Sequence, residues 1–177
     1  MSGHGEPAGD VLAELASLRR RLDSLEAVVA IAALKAKYGE LVDRRFVRGE
    51  VVDEASLRTL AGAIAALFTE DAEWDGGPAL GVAVGRDEIA ARMAAPTLSF
   101  SRHLFVCPRI SVDGASATGR WDLFAPCTTG DGSSYWMCGV EDDEYVRGRD
   151  GCWLHRRMAL TTVFMAPTSE GFGRIWS

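Results

Sequence analysis

Several patterns on which common functions depend are missing from this 177-residue sequence. No apolar run is long enough to cross a bilayer, and residues 1–10 lack the charged start and apolar centre of a signal peptide, so we expect a cytoplasmic protein without a membrane partner. Basic residues number 19 and acidic residues 25, giving a net charge of -6. This balance argues against nucleic acid as a partner, because nucleic acid favours a basic surface.

Sequence patterns for cofactors and metals are also absent. The four cysteines, at positions 107, 127, 138 and 152, are spaced irregularly and form no CxxC pair, so we expect free thiols in the interior. There is no HExxH, GxGxxG, GxxxxGK[ST] or GxSxG motif. Metal, dinucleotide, phosphate-loop and nucleophile-elbow chemistry therefore lack their usual sequence basis, and we expect no cofactor and no metal.

Helical patterns dominate the first part of the chain. Residues 1–10 are small, polar or helix-breaking, and we expect them to be disordered. Residues 11–30 are predicted to form a helical extension, since apolar side chains recur in steps of four and three at Val11, Leu15, Leu18, Leu22, Leu25, Val29 and Ala32. This seam either joins a partner helix in a homodimer or homotrimer or packs on its own domain. The pattern leaves both open.

Residues 31–167 have the composition of one domain with a hydrophobic core. A second helix is predicted from an N-cap at Asp53 to Phe68, and a third over residues 88–93, with short strands at 72–75 and 80–84. Four long strands follow at 103–112, 116–128, 134–146 and 152–164, separated by glycine turns. The order predicts an α+β fold in which three helices lie over a curved, mixed or antiparallel sheet and close an apolar cavity. Residues 168–177 form a tail that either acts as a lid or packs on a neighbouring subunit.

One helix end and one strand start carry the strongest candidates for chemistry. Tyr38 and Asp43 lie about 140° apart on a straight helix, so they share a pocket only if the helix ends near Asp43 or the cavity wraps around it. Alone, Asp43 is more typical of a solvated carboxylate beside arginines. His103 lies on an apolar strand face, and it is the strongest base candidate because His4 is in the irregular start and His155 is in a strand expected to carry solvent-facing residues.

Other polar and aromatic side chains have two interpretations each. Asp122 either orients His103 from the next strand or forms an ordinary ion pair with Arg120 or Arg156. Trp74, Phe105 and Phe124 either line a substrate pocket or belong to the core.

Five segments together resemble a known family, and they span Val28 to Pro167: AIAALKAKYGELVD, LFTEDAEWDGG, GRDEIAARM, SRHLFVCPRISVDGASATGRW and DEYVRGRDGCWLHRRM. They are similar to the SnoaL-like branch of the nuclear transport factor 2-like superfamily, and to scytalone dehydratases and bile-acid dehydratases. The resemblance implies a cone-shaped α+β fold, often dimeric or trimeric, with a deep apolar cavity and no cofactor.

The resemblance also implies roles for particular residues. Tyr38 and Asp43 match the pocket tyrosine and the carboxylate of the first helix, and His103 matches the catalytic histidine. Asp122 and Arg156 are looser matches to an acid and an arginine found in some members, with Arg157 competing for the second position.

The implied function is a cofactor-independent dehydratase or isomerase for a small hydrophobic, oxygenated molecule such as a polyketide or steroid-like ring. His103 with Asp43 would move a proton next to a carbonyl, and Tyr38 would stabilise the enolate. The alternatives are an epoxide hydrolase or cyclase that uses the carboxylates of Asp43 and Asp122, and a non-catalytic ligand-binding or accessory subunit.

Overall fold

A computed structural model describes residues 6–168 of the chain, with side-chain burial from residue 9 onward. Its helices are α1 (Glu6–Asp43), α2 (Glu54–Ala65), α3 (Gly77–Leu80) and α4 (Arg86–Met93). The Asp53 side chain caps α2 by accepting a hydrogen bond of 3.0 Å from the backbone N–H of Ser56, as expected for an N-cap aspartate. Helix α1 ends at Asp43, which is one of the two conditions under which Tyr38 and Asp43 could share a pocket, but the two residues line different spaces.

The strands form a two-stranded hairpin and a larger mixed sheet. The hairpin consists of β1 (Phe46–Val47) and β2 (Glu50–Val51). The sheet contains β3 (Phe68–Asp75), β4 (Val82–Val84), β5 (Leu98–Ser101), β6 (Leu104–Asp113), β7 (Ser116–Thr129), β8 (Ser134–Arg147) and β9 (Trp153–Thr168). It runs in the order β4-β3-β9-β8-β7, and β5 and β6 pair with different parts of β7. Only the β3–β9 pairing is parallel among the described strands.

The α+β class and the curved mixed sheet agree with the sequence prediction, while several details differ. Strand β5 and the short helix α3 were not predicted. The segment expected to be disordered is helical from Glu6 onward, and residues 1–5 lie outside the described part of the chain. So do residues 169–177, which contain nearly all of the predicted tail. Cys107 and Cys152 are exposed, so the expectation of interior thiols is wrong for these two, which lie at a bulge of β6 and in the turn before β9.

The hydrophobic core lies between the concave face of the sheet and the helices. Its larger cluster joins the end of α1 to α2, α4 and the first strands, with Ile64, Phe68 and Ile89 fully buried. A second cluster packs Ala27 and Ile31 of α1 against aromatic side chains of β7 and β8. The second half of α1 therefore lies across the sheet, and its side chains point into the space that the sheet encloses. No helix within residues 6–168 has the length and apolar character needed to cross a membrane.

Candidate active site

A histidine and an aspartate meet where α1 ends and β6 begins. Nδ1 of His103 lies 2.7 Å from Oδ1 of Asp43, and the backbone N–H of His103 donates to both carboxylate oxygens, at 3.0 and 3.1 Å. The Arg102 Nε atom lies 3.5 Å from Oδ2 of the same carboxylate. Only 7% of the Asp43 side chain is exposed. Because a carboxylate accepts hydrogen bonds, Nδ1 of His103 carries the hydrogen and Nε2 is left as the base.

Tyr38 supplies a hydroxyl group near this histidine. The indole N–H of Trp74 donates a 3.0 Å hydrogen bond to the Tyr38 hydroxyl oxygen, so the hydroxyl hydrogen stays available for another acceptor. Burial, aided by the negative charge of Glu141, raises the pKa of Tyr38 well above its usual value. The phenol therefore remains protonated at neutral pH and acts as a donor.

Two small cavities border both of these side chains. They share the lining residues Tyr38, Trp74, Leu80, Leu98 and His103. The outer cavity has a volume of about 70 Å³ and is also lined by Arg45, Arg92 and residues 95–97. The inner cavity has a volume of about 60 Å³ and is lined by strand residues that include Ser101 and Glu141. Each is large enough for several water molecules, which favours a compact ligand over a fused-ring one.

Asp43 lines neither cavity and lies behind the imidazole. It borders a separate surface cleft together with Glu40, Arg44 and Arg102. Its contact with the site is therefore through His103, which makes it a positioning carboxylate and not a group that touches the ligand. The two sides of His103 differ accordingly, with Asp43 on one side and the cavities on the other.

A buried ionic network at the floor of the site was not predicted. Lys35 is fully buried, and its Nζ atom donates to Oε2 of Glu141 and, at 2.7 Å, to Oδ2 of Asp143. The Tyr145 hydroxyl donates to the same Asp143 oxygen at 2.7 Å and accepts from the indole N–H of Trp121 at 2.9 Å. Burial alone would lower the pKa of Lys35, but the two carboxylates outweigh it and raise that pKa. Burial also raises the pKa of Asp143 to about 6, against the opposing effect of Lys35.

Glu141 is the carboxylate of this network that reaches the inner cavity. Lys35 binds its Oε2 atom, whereas no described residue hydrogen-bonds Oε1. The signal for this site was present in the sequence, since Lys35 lies four residues after Ile31 and three before Tyr38, on the apolar face of α1. A lysine on such a face requires an acidic partner in the core, and the alternating acids of β8 provide it.

His155 is fully buried, contrary to the solvent-facing strand expected around it. Its ring lies 5.0 Å from that of Phe68 and 4.9 Å from that of Tyr145, and neither ring nitrogen has a hydrogen-bond partner among residues 6–168. Its Nδ1 atom lies 3.9 Å from Oδ2 of Asp143, beyond hydrogen-bonding distance. Burial and the nearby positive charge of Lys35 hold the pKa of His155 well below its usual value, so the ring is neutral.

Of the five predicted substrate-binding residues, only Trp74 lines the cavities. Phe105 packs behind the site, with its ring 6.2 Å from that of Tyr38 and 5.9 Å from that of His103. The structure does not place Asp122, Phe124 or Arg156 in the site.

These three side chains lie on the outer face of the sheet. Asp122 bonds Arg109 at 2.7 Å, and Phe124 stacks on Trp136 at 5.2 Å. Arg156 is exposed, and its competitor Arg157 pairs with Glu73 at 3.0 Å. Alternation along β7 correctly put Asp122 and Phe124 on one face and Trp121 and Leu123 on the other, but the second pair faces the core.

The model of the SnoaL-like domain family matches residues 23–159 of the chain, which include every residue of the site described above. The chain is a member of the SnoaL-like family. The resemblance found from the sequence motifs is thus confirmed, together with the cone-shaped fold of the nuclear transport factor 2-like superfamily. No curated protein matches the chain.

Solved structures with the same fold include proteins named as dehydrochlorinases and one named as a scytalone dehydratase. The dehydrochlorinase LinA is 25% identical, with a TM-score of 0.67, and the match covers 86% of this chain and 97% of LinA. The type 3 hexachlorocyclohexane dehydrochlorinase of Novosphingobium barchaimii is 22% identical, with the same TM-score and coverage. A Novosphingobium aromaticivorans protein assigned as a scytalone dehydratase is 22% identical, with a TM-score of 0.65 and coverage of 86% and 97%. The SnoaL-like chain therefore shares its fold with dehydratase-type and dehydrochlorinase-type proteins.

Proposed function

We propose that this SnoaL-like protein is a cofactor-independent lyase that eliminates water from a compact, hydrophobic β-hydroxy carbonyl compound. The observation that carries the proposal is that His103, whose ring is hydrogen-bonded to Asp43, lines the same two cavities as Tyr38. A base and a neutral hydrogen-bond donor beside one apolar space are what an enolate-forming elimination requires.

The reaction proceeds in two steps. Nε2 of His103 takes a proton from the carbon next to the carbonyl, and the electron pair of that C–H bond forms the enolate, whose oxygen accepts a hydrogen bond from Tyr38. The enolate then collapses to the carbonyl and a new C=C bond, and the β-hydroxyl group leaves as water with the proton that Nε2 returns. Asp43 keeps the ring in the required tautomer and stabilises the imidazolium between the steps.

The cavity walls define the substrate class. Trp74, Leu80 and Met158 provide apolar contacts, and Oε1 of Glu141, to which no residue within 6–168 donates, accepts a hydrogen bond from a substrate hydroxyl. Arg45 and Arg92 at the outer cavity disfavour a cationic substrate. The small volumes favour a single ring over the steroid-like ring considered from the sequence.

Elimination and proton abstraction can be tested with one small probe, 3-hydroxycyclohexanone in deuterated buffer. NMR would follow deuterium exchange at the carbon next to the carbonyl and the formation of 2-cyclohexenone. Both should be catalysed by the wild-type protein and lost in His103→Gln, while the outward-facing Asp122→Asn variant serves as the matched control and should retain both. Equal rates in His103→Gln and wild type would overturn the role of His103. Binding without exchange or elimination would instead support a ligand-binding module.

An isomerase shares the first step, which is why it remains the second candidate. It differs only in that Nε2 returns the proton to another carbon. Conversion of 3-cyclohexenone to 2-cyclohexenone without elimination from the hydroxy ketone would favour it. The epoxide alternative has less support, because Asp122 faces away from the cavity and the carboxylate pair assigned to it does not meet.

A further inference from the structure

The first half of α1 carries an apolar stripe that does not pack on its own domain. The exposed fractions of its members are 54% for Val11, 49% for Leu15, 48% for Leu18, 55% for Leu22, 64% for Leu25 and 69% for Val29. The side of α1 that faces the domain is different, since it carries the buried residues Ala27, Ile31 and Lys35. The sequence left open whether this stripe packs on its own domain or on a partner helix. Among the described residues, the stripe from Val11 to Val29 does not pack on its own domain.

The charged residues beside the stripe define what can pair with it. With Leu15, Leu22 and Val29 at the a positions of a heptad, Glu14 and Arg21 occupy g positions, and Arg19 and Glu26 occupy e positions. In a parallel pair of helices, each g residue faces the e residue five positions later on the partner helix. Glu14 then meets Arg19 of the second copy, and Arg21 meets Glu26 of the second copy. Both contacts are attractive in a single register.

An antiparallel pair also satisfies these charges. There, g residues face g residues and e residues face e residues, so Glu14 meets Arg21 and Arg19 meets Glu26 of the second copy. When Val11 of one helix lies level with Val29 of the other, both of these pairs have the same five-residue offset as the pairs of the parallel arrangement. Charge complementarity therefore favours the pairing of two identical helices in either direction.

We propose that two copies of this chain pair through α1 as a two-stranded coiled coil along the stripe from Val11 to Val29. The exposed leucines of one helix pack between those of the other and lose their contact with water. The proposal rests on α1 alone and is independent of the catalytic one. It makes the protein a dimer whose two copies are joined by the first half of α1.

Charge reversal tests the pairing in the full-length protein. Two double variants each place four like charges beside the stripe on every helix. The basic variant is Glu14→Arg with Glu26→Arg, and the acidic variant is Arg19→Glu with Arg21→Glu. Sedimentation equilibrium should show two chains of 19.1 kDa associated in the wild type, dissociation in either variant, and recovery of a two-chain species when the variants are mixed. The matched control, Asp10→Arg with Asp23→Arg, changes the same charge outside the e and g positions and should associate like the wild type.

Cysteine substitutions distinguish the two directions of pairing. In a parallel pair the introduced thiols of Val11→Cys meet each other, and in an antiparallel pair the thiol of Val11→Cys meets that of Val29→Cys when the two variants are mixed. Mild oxidation of one of these samples should therefore give a disulfide-linked dimer beyond what wild type forms through its own exposed Cys107 and Cys152. Circular dichroism of each variant checks that the fold is kept. A wild-type protein that stays monomeric, an association that the charge variants leave unchanged, or the absence of the additional cross-link from both samples would each overturn the proposal.

Discussion

A single carboxylate, that of Asp43, binds both the ring and the backbone of His103. Nδ1 lies 2.7 Å from Oδ1, and the backbone N–H donates to both oxygens of the same group. The end of α1 is thereby joined to the start of β6, and the imidazole cannot rotate without breaking its hydrogen bond to Asp43. The orientation of the His103 ring and the junction between α1 and β6 thus both depend on the Asp43 side chain.

Replacing Asp43 by asparagine should therefore slow proton abstraction without removing the histidine. An amide no longer stabilises the imidazolium, so we expect kcat for elimination from 3-hydroxycyclohexanone to fall by about 10²–10⁴-fold. The control is Asp122→Asn, the same change on the outer face of the sheet. A normal kcat with an unchanged pH profile in Asp43→Asn would contradict the positioning role.

Tyr38→Phe removes the hydroxyl group that accepts from Trp74 and that we propose donates to the substrate oxygen. Losing one donor to a developing oxyanion should lower kcat by about 10²–10³-fold. The indole N–H of Trp74 is also left unpaired in a buried position, which should reduce the free energy of unfolding by about 1–3 kcal/mol. Steady-state kinetics and urea unfolding measure the two effects. If stability falls while kcat stays the same, Tyr38 has only a structural role.

The fold was predictable because its signals are local. The Asp53 cap, the glycine turns at 114, 132 and 151, and the alternation in the long strands each specify an element without knowledge of the rest of the chain. By contrast, the local sequence does not determine which side of a strand faces the core. Asp122 and Trp121 differ only in which side of β7 meets α1, and that depends on how the whole sheet curves.

The candidate site was predictable only where motif and geometry coincide. Tyr38, Asp43 and His103 matched a family pattern, and the structure brings Asp43 to His103 and places Tyr38 and His103 beside the same cavities. The buried network around Lys35 was missed. The position of Lys35 on the apolar face of α1 indicates a buried partner, but the partners lie more than a hundred residues later, and the sequence alone does not show which acids of β8 face the core.

Lys35→Met should strongly destabilise the protein. The substitution leaves Glu141 and Asp143 in the interior without their cation, and breaking one partner of a buried ion pair reduces the free energy of unfolding by about 3–5 kcal/mol. The control is Lys37→Met, an exposed lysine of the same helix, for which we expect a change within about 0.5 kcal/mol. Denaturant unfolding of both variants measures the difference. Neutralising the acids as well, in Lys35→Met/Glu141→Gln/Asp143→Asn, should restore part of the loss.

His155 should make the folded state sensitive to acid. Its pKa is lowered in the folded protein, so below about pH 6.5 the unfolded chain binds a proton that the folded chain does not. Stability is then lost as the pH falls, by about 1.4 kcal/mol per pH unit, or about 2 kcal/mol between about pH 6.5 and about pH 5. Asp143 contributes with the opposite sign, because its pKa is raised to about 6 and its protonation favours the folded state.

The difference in the free energy of unfolding between wild type and His155→Phe, measured by denaturant unfolding at several pH values, isolates the contribution of the histidine. The variant should lose less stability on acidification than the wild type, and parallel pH dependences would show that the buried ring takes up a proton without unfolding.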